Sequence, residues 1–160
     1  YLQGFWDHYL LIGGVGSTLP LAFLLLRSRV THLRTIGKMG VVPSFFNINE
    51  PILFGLPVIM NPIMLIPFNL VPLVLVTVQY AAMKIGAVAV TTGVFIPWTL
   101  PPVISGFIVT GHLSGSVMQL INLLIGAMLY LPFMRIVDKQ YRAAELTTAT
   151  QPDTTLAKQE

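Results

Sequence analysis

The chain has no cysteine and very little charge. Without cysteine it can form no disulfide, no thiolate metal site and no cysteine nucleophile. Only 9% of the residues are charged, against about 25% in globular domains, which is too few to cover a water-exposed surface. No basic n-region precedes the first apolar run, which follows "YLQGFWDH", so no cleavable signal peptide is expected. The first residue is Tyr1, not Met, which suggests a piece of a longer polypeptide. Also missing are a Walker-type phosphate loop and a basic, aromatic-interleaved surface for nucleic acid. His8, His32 and His112 are not spaced as metal ligands, and only the Asp7–His8 pair is adjacent. No cofactor, metal or nucleic-acid partner is therefore expected.

What the chain does have is apolar length. It is 54% hydrophobic with a mean hydropathy of +0.78, and 9–26, 51–83 and, His112 apart, 85–134 carry no charge. A membrane helix needs roughly 20 apolar residues, so this is an integral membrane protein. "YLLIGGVGSTLPLAFLLL" (9–26) is expected to span once, although its glycines and Pro20 weaken the first half. "RSRVTHLRTIGK" follows, with Arg27, Arg29, Arg34 and Lys38, and "RIVDKQYR" (135–142) is the second basic cluster. The positive-inside rule puts both loops in the cytoplasm, so the chain between them crosses the bilayer an even number of times.

Four apolar stretches lie between them, and two read as spans: 62–83 and 113–134. The other two are broken by prolines. Pro43, Pro51 and Pro57 interrupt 41–60, and Pro97, Pro101 and Pro102 crowd around Trp98. Each proline removes a helical hydrogen bond and disfavours helix at the residue before it. Irregular backbone survives at membrane depth only when buried in protein or lining a wet cavity, and paired broken segments point to a transporter's binding site. The expected fold is an all-α membrane protein of about three transmembrane helices plus two re-entrant or broken hairpins. Residues 143–160, rich in Thr and Ala, read as a disordered cytoplasmic tail.

Glu50 is the only charged residue between Lys38 and Lys84, and Pro51 follows it directly. A carboxylate at mid-membrane costs on the order of 3 kcal/mol, so something must compensate for it. One reading is a polar cavity where Glu50 accepts hydrogen bonds from a hydroxylated ligand; the other is a Glu in an aqueous vestibule or in an ion pair. Asn47 and Asn49 would point the same way on an extended backbone, either toward ligand hydroxyls or toward backbone freed around Pro51. Trp98 is either an interfacial anchor or a platform for the C–H face of a sugar ring. Trp6, with no broken backbone around it, reads as an anchor.

"FNINEPILFGLPVIMNPIMLIPF" (46–68) resembles the signature of enzyme IIC, the membrane component of the lactose/cellobiose/chitobiose phosphotransferase systems (PTS). "IGGVGSTL" (12–19), "IPWTLPPVISGF" (96–107) and "YLPFMRIVDK" (130–139) are similar to that family's glycine-rich stretch, Pro-Trp segment and final helix, in family order. The resemblance makes residues 1–142 the C-terminal portion of an EIIC transmembrane domain. It implies a multi-pass permease of the bacterial cytoplasmic (inner) membrane with a cytoplasmic C-terminus. Such a permease binds a β-linked disaccharide outside and carries it through by an elevator-like motion. Enzyme IIB, itself served by IIA and HPr, then phosphorylates the sugar's 6-hydroxyl from a phosphocysteine.

By the same resemblance Asn49 and Glu50 contact sugar hydroxyls and Trp98 packs on the sugar. No catalytic residue is expected on this chain, and membrane lipid is its surroundings. The sequence departs from the family in two ways. The N-terminal helices that build the dimer interface are absent, so a homodimer is expected only of a full-length permease. The family's sugar-site His, in a Gly-Ile-His-Gly segment, has no counterpart at His8 or His112. Two alternatives stand beside this reading: a truncated, non-transporting membrane protein that associates with a partner, and an ion-coupled sugar carrier with Glu50 as its protonation site.

Overall fold

A computed structural model describes residues 2–150. Among them there is no strand. A short helix α1 (Leu2–Phe5) runs into a π-helical turn (Trp6–Leu10). Then come α2 (Leu19–Leu26), α3 (Thr31–Phe45), α4 (Glu50–Gly55), α5 (Pro62–Lys84), α6 (Ile104–Thr110) and α7 (Leu113–Thr150).

Two helices are long and apolar enough to cross a membrane: α5, and α7 over Leu113–Thr147. The 23 residues of α5 reach about 35 Å, enough for a hydrocarbon core of about 30 Å. Asn61 starts α5 by accepting a hydrogen bond from the Ile63 N–H at 3.0 Å, and Pro62 occupies the first turn, where an N–H would lack a partner anyway. With 38 residues, α7 is about 57 Å long, so its charged C-terminal part, from Arg135 on, extends beyond the apolar layer. Two helices of crossing length between the basic clusters match the even number expected from charge.

The stretch 9–26 is not the continuous span that its apolarity suggests. Helix stops at Leu10, and the following loop turns through positive φ at Gly13, Gly14, Gly16 and Ser17. Only the eight residues of α2 remain helical, about 12 Å. Here the backbone freedom of glycine outweighs the hydrophobic run, and local hydrogen bonds hold the result. Ser17 Oγ donates to the Leu10 carbonyl, and Thr18 Oγ1 donates to the Gly13 carbonyl at 2.6 Å.

The first basic stretch is likewise not a loop throughout. It turns after α2 and then forms the start of α3, which carries Arg34 and Lys38. Helices α2 and α3 make a tight hairpin through Gly37, where a Cβ would lie 2.8 Å from the Leu26 backbone nitrogen. This hairpin is tied to α7. Ser28 Oγ donates to Asp138 Oδ1 at 2.5 Å, and the His32 ring stacks on Tyr141 with centroids 5.8 Å apart. The two basic clusters, over a hundred residues apart in sequence, therefore meet at one end of the molecule.

The first break in 41–60 falls before Glu50 and not at Pro51, and a second follows Gly55, at the turn that contains Pro57. Helix α3 passes through Pro43 to Phe45, residues 46–49 turn, and α4 begins with Glu50. Pro51 sits in the first turn of α4, where its missing N–H costs nothing. From 89 to 97 the backbone has no regular structure, as the proline-rich stretch suggests, and α6 begins after it. The tail expected to be disordered from residue 143 is helical as far as Thr150, because Ala143, Ala144, Glu145 and Leu146 are good helix formers. Residues 151–160 lie outside the described residues.

Buried apolar side chains form two clusters. The larger joins α2, α3, α4, α5 and α7 through Leu25, Ile36, Ile52, Val71 and Tyr130. The smaller gathers Tyr9, Leu10, Val88, Ile96, Val109 and Met118 around the π-helical turn. Gln119 on α7 anchors this second region. Its Nε2 donates to the His8 carbonyl at 2.7 Å and to Ser105 Oγ at 2.9 Å. Its Oε1 accepts from the N–H groups of Val103 and Gly106, at 2.5 and 2.9 Å.

Candidate functional site

Three irregular stretches converge on one pocket of about 190 Å³. The N-terminal region supplies Asp7, Leu11, Gly14 and Val15; the break between α3 and α4 supplies Asn47, Asn49 and Glu50; the proline-rich segment supplies Trp98. The residues singled out from sequence, Asn49, Glu50 and Trp98, thus share a single cavity.

Asn47 holds the three stretches together. Its φ of +61° is left-handed, a conformation that Asn tolerates better than most residues. The extended backbone that would aim Asn47 and Asn49 alike is therefore absent; the segment is a turn. Asn47 Oδ1 accepts from the Gly13 N–H at 2.8 Å, and its Nδ2 donates to the Trp98 carbonyl. Both ends of the amide are used within the protein.

Asn49 is half committed. Its Nδ2 donates to the Val15 carbonyl at 2.7 Å and to Thr18 Oγ1 at 3.0 Å, while Oδ1 takes no part in these bonds. The glycine loop must come this close for those bonds to form. At Gly14, with φ +84° at its neighbour Gly13 and +93° at Gly14 itself, a Cβ would lie 2.6 Å from Asn49 Cγ.

Glu50 stands in the first turn of α4 and is exposed. Among the described residues the one ion pair joins Arg142 to Asp138, so the Glu50 carboxylate keeps its acceptor capacity. The Trp98 side chain is 54% exposed, and the turn that presents it is closed by the Leu100 N–H donating to the Pro97 carbonyl at 3.2 Å.

Asp7 is the residue that sequence reasoning missed as a lining group. In the sequence it stands out only as the neighbour of His8, and nothing in its local pattern shows that the glycine loop folds it against residues 47–50. The neighbouring His8 is buried, and that burial holds its imidazole below the ordinary histidine value. The Asp7 charge and the nearby Ile96 backbone oppose the shift without cancelling it. The pocket thus offers two carboxylates, one amide oxygen and an indole face: acceptors for hydroxyl groups beside an apolar platform.

A pocket built from broken backbone, in an all-helical chain with two helices of membrane-crossing length, is the arrangement of a membrane protein with an internal binding site. Comparisons with known proteins narrow this class. The family model described as "Phosphotransferase system, EIIC" matches residues 1–72. The chain is 51% identical over 150 residues to the "PTS system cellobiose-specific EIIC component" of Geobacillus stearothermophilus, covering 92% of this chain and 33% of that protein. It is 47% identical over 142 residues to the "Lichenan permease IIC component" of Bacillus subtilis (strain 168), covering 88% and 31%. Among solved structures it is similar to the transporter ChbC, the IIC component from the N,N'-diacetylchitobiose-specific phosphotransferase system, with a TM-score of 0.87 and 42% identity, over 89% of this chain and 33% of that one. The chain belongs to the enzyme IIC family of the lactose/cellobiose/chitobiose phosphotransferase systems. It spans about a third of the length of the curated relatives that it matches.

Proposed function

We propose that this chain forms the substrate-binding part of a phosphotransferase-system permease that takes up a β-linked disaccharide of the cellobiose, chitobiose or lactose type. The observation that carries this reading is the meeting of Glu50, Asn49 and Trp98, with Asp7, in one pocket. Glu50 and Asp7 accept hydrogen bonds from sugar hydroxyls, Asn49 Oδ1 adds a third acceptor, and the exposed indole of Trp98 packs against the ring. At about 190 Å³ the pocket is smaller than the roughly 300–1,000 Å³ usual for small-molecule sites. It therefore holds part of a disaccharide, and the other two-thirds of a full permease supplies the remaining wall.

In this reading both basic clusters and the C-terminus face the cytoplasm of a bacterial inner membrane, in line with the positive-inside rule. Enzyme IIB, supplied by IIA and HPr, phosphorylates the translocated sugar there, and the full-length permease is the dimer. The one-third coverage of the relatives favours a second reading, in which this polypeptide by itself does not transport and acts only when further helices complete it.

The test is sugar binding by Glu50→Gln in a complete transporter. A charged hydrogen bond is worth about 1.5–3 kcal/mol, so affinity should fall by roughly tenfold or more. Unchanged binding and phosphorylation would remove Glu50 from the site.

A further inference from the structure

A second cavity, of about 420 Å³, opens where the α2–α3 turn meets α7. Its walls are graded. Apolar Leu24 on α2 is followed by Arg27 just past the end of that helix; on α7, Leu131 and Met134 are followed by Arg135, Lys139 and Arg142. Both walls pass from apolar to cationic toward the same end, and the α7 wall is about 16 Å long at 1.5 Å per residue. Arg135 is the first charged residue after the apolar part of α7, so the change falls at headgroup depth.

The charges are not balanced within the protein. Asp138 is the one carboxylate in the lining, and it is already engaged: Oδ1 by Ser28 at 2.5 Å and Oδ2 by Arg142 at 2.8 Å. Arg27, Arg135 and Lys139 have no carboxylate partner among the described residues. Arg142 Nε is buried and lacks an acceptor there, and a buried donor left unpaired calls for a ligand or water to explain it. A cavity with three uncompensated cations at one end and an aliphatic floor at the other matches an amphipathic anion.

We propose that this cavity binds an anionic phospholipid, with the phosphate between Arg27, Arg135 and Lys139 and the first acyl carbons on Leu24, Leu131 and Met134. Basic pockets between membrane helices are suited to lipid headgroups in this way. A free phosphate would satisfy the cations but leave the apolar floor uncovered, so the lipid is the better fit. The site is separate from the sugar pocket and does not depend on the sugar-binding reading.

The experiment is native mass spectrometry of a complete transporter containing this chain, in detergent with equimolar phosphatidylglycerol and phosphatidylcholine. Phosphatidylglycerol should be the lipid retained. Arg135→Gln with Lys139→Gln should cut its retention by roughly 25-fold, about fivefold per charge removed. Arg29→Gln, in the same basic stretch but outside the cavity lining, should leave it unchanged. Equal retention of the two lipids would overturn the proposal, and so would an equal loss in Arg29→Gln. Displacement of phosphatidylglycerol by millimolar inorganic phosphate would show a simple anion site and overturn the lipid assignment. Attachment of a soluble protein to these cations with no lipid retained would overturn it too. The lipid preference and the phosphate competition need no variant, so a variant that fails to fold does not block the test.

Discussion

Asn47 donates its side-chain amide to the backbone carbonyl of Trp98, across 51 residues of sequence. With the Gly13 N–H on its Oδ1, this one amide fixes the glycine loop and the proline-rich segment relative to each other. The indole that lines the pocket is thus positioned by a residue that reaches no ligand with its own polar atoms.

Asn47→Ala should therefore destabilise the fold and loosen the pocket together. It leaves a buried N–H and a carbonyl without partners, at about 1–3 kcal/mol each, and forces alanine into a left-handed backbone. Asn47→Gly keeps the backbone conformation and loses only the bonds. Thermal unfolding in detergent should rank wild type above Asn47→Gly, and Asn47→Gly above Asn47→Ala. Equal stability of all three would mean that the bridge contributes nothing.

Gly14→Ala should damage the site through packing. The new methyl would lie 2.6 Å from Asn49 Cγ and 2.8 Å from the Asn47 carbonyl oxygen, at φ +93°. Strained backbone of this kind costs of order 1–3 kcal/mol, before the clash is counted. Sugar affinity in a complete transporter should fall along with melting temperature, whereas Gly86→Ala, at φ +76° but with open space around its Cβ, should affect melting alone.

Gln119 is the test of the second buried region. All four of its hydrogen bonds go to groups on other elements, including the N–H of Val103, whose φ of +76° is unfavourable for a β-branched side chain. Gln119→Leu keeps the volume and removes every bond. At about 1–3 kcal/mol for each stranded group, most of the chain should fail to reach a monodisperse state in detergent. Gln119→Glu, which retains the acceptors at Oε1, should be milder. Size-exclusion profiles would separate the two.

The absence of cysteine makes topology directly testable. Lys84→Cys, at the end of α5, and Lys139→Cys, beyond the apolar part of α7, should label from opposite sides of the membrane with an impermeant maleimide. Arg29→Cys should label from the same side as Lys139→Cys. If all three label from one side, neither α5 nor α7 crosses.

Much of this protein is set by the sequence alone. Sparse charge and long apolar runs fix membrane residence, because no arrangement of 9% charged residues can cover a soluble surface. The two long spans follow from run length, the shared end of the basic clusters from charge and parity, and the proline-broken segments from the missing N–H of proline. The isolated Glu50 and the Pro-flanked Trp98 draw attention for the same reason: each conflicts with its local surroundings.

Tertiary structure decided the rest. In sequence 9–26 is a span; in the fold its glycines become the loop that Asn47 and Asn49 bind, since hydrogen bonds from residues about thirty positions away outweigh a weak helix. Asp7 carries no local sign of its place in the pocket, because that place exists only once the loop has closed. The graded cavity between α2 and α7 is hidden in the same way. Its two walls are over a hundred residues apart, and only packing brings their cations together, because contacts between distant segments leave no periodic trace along the chain.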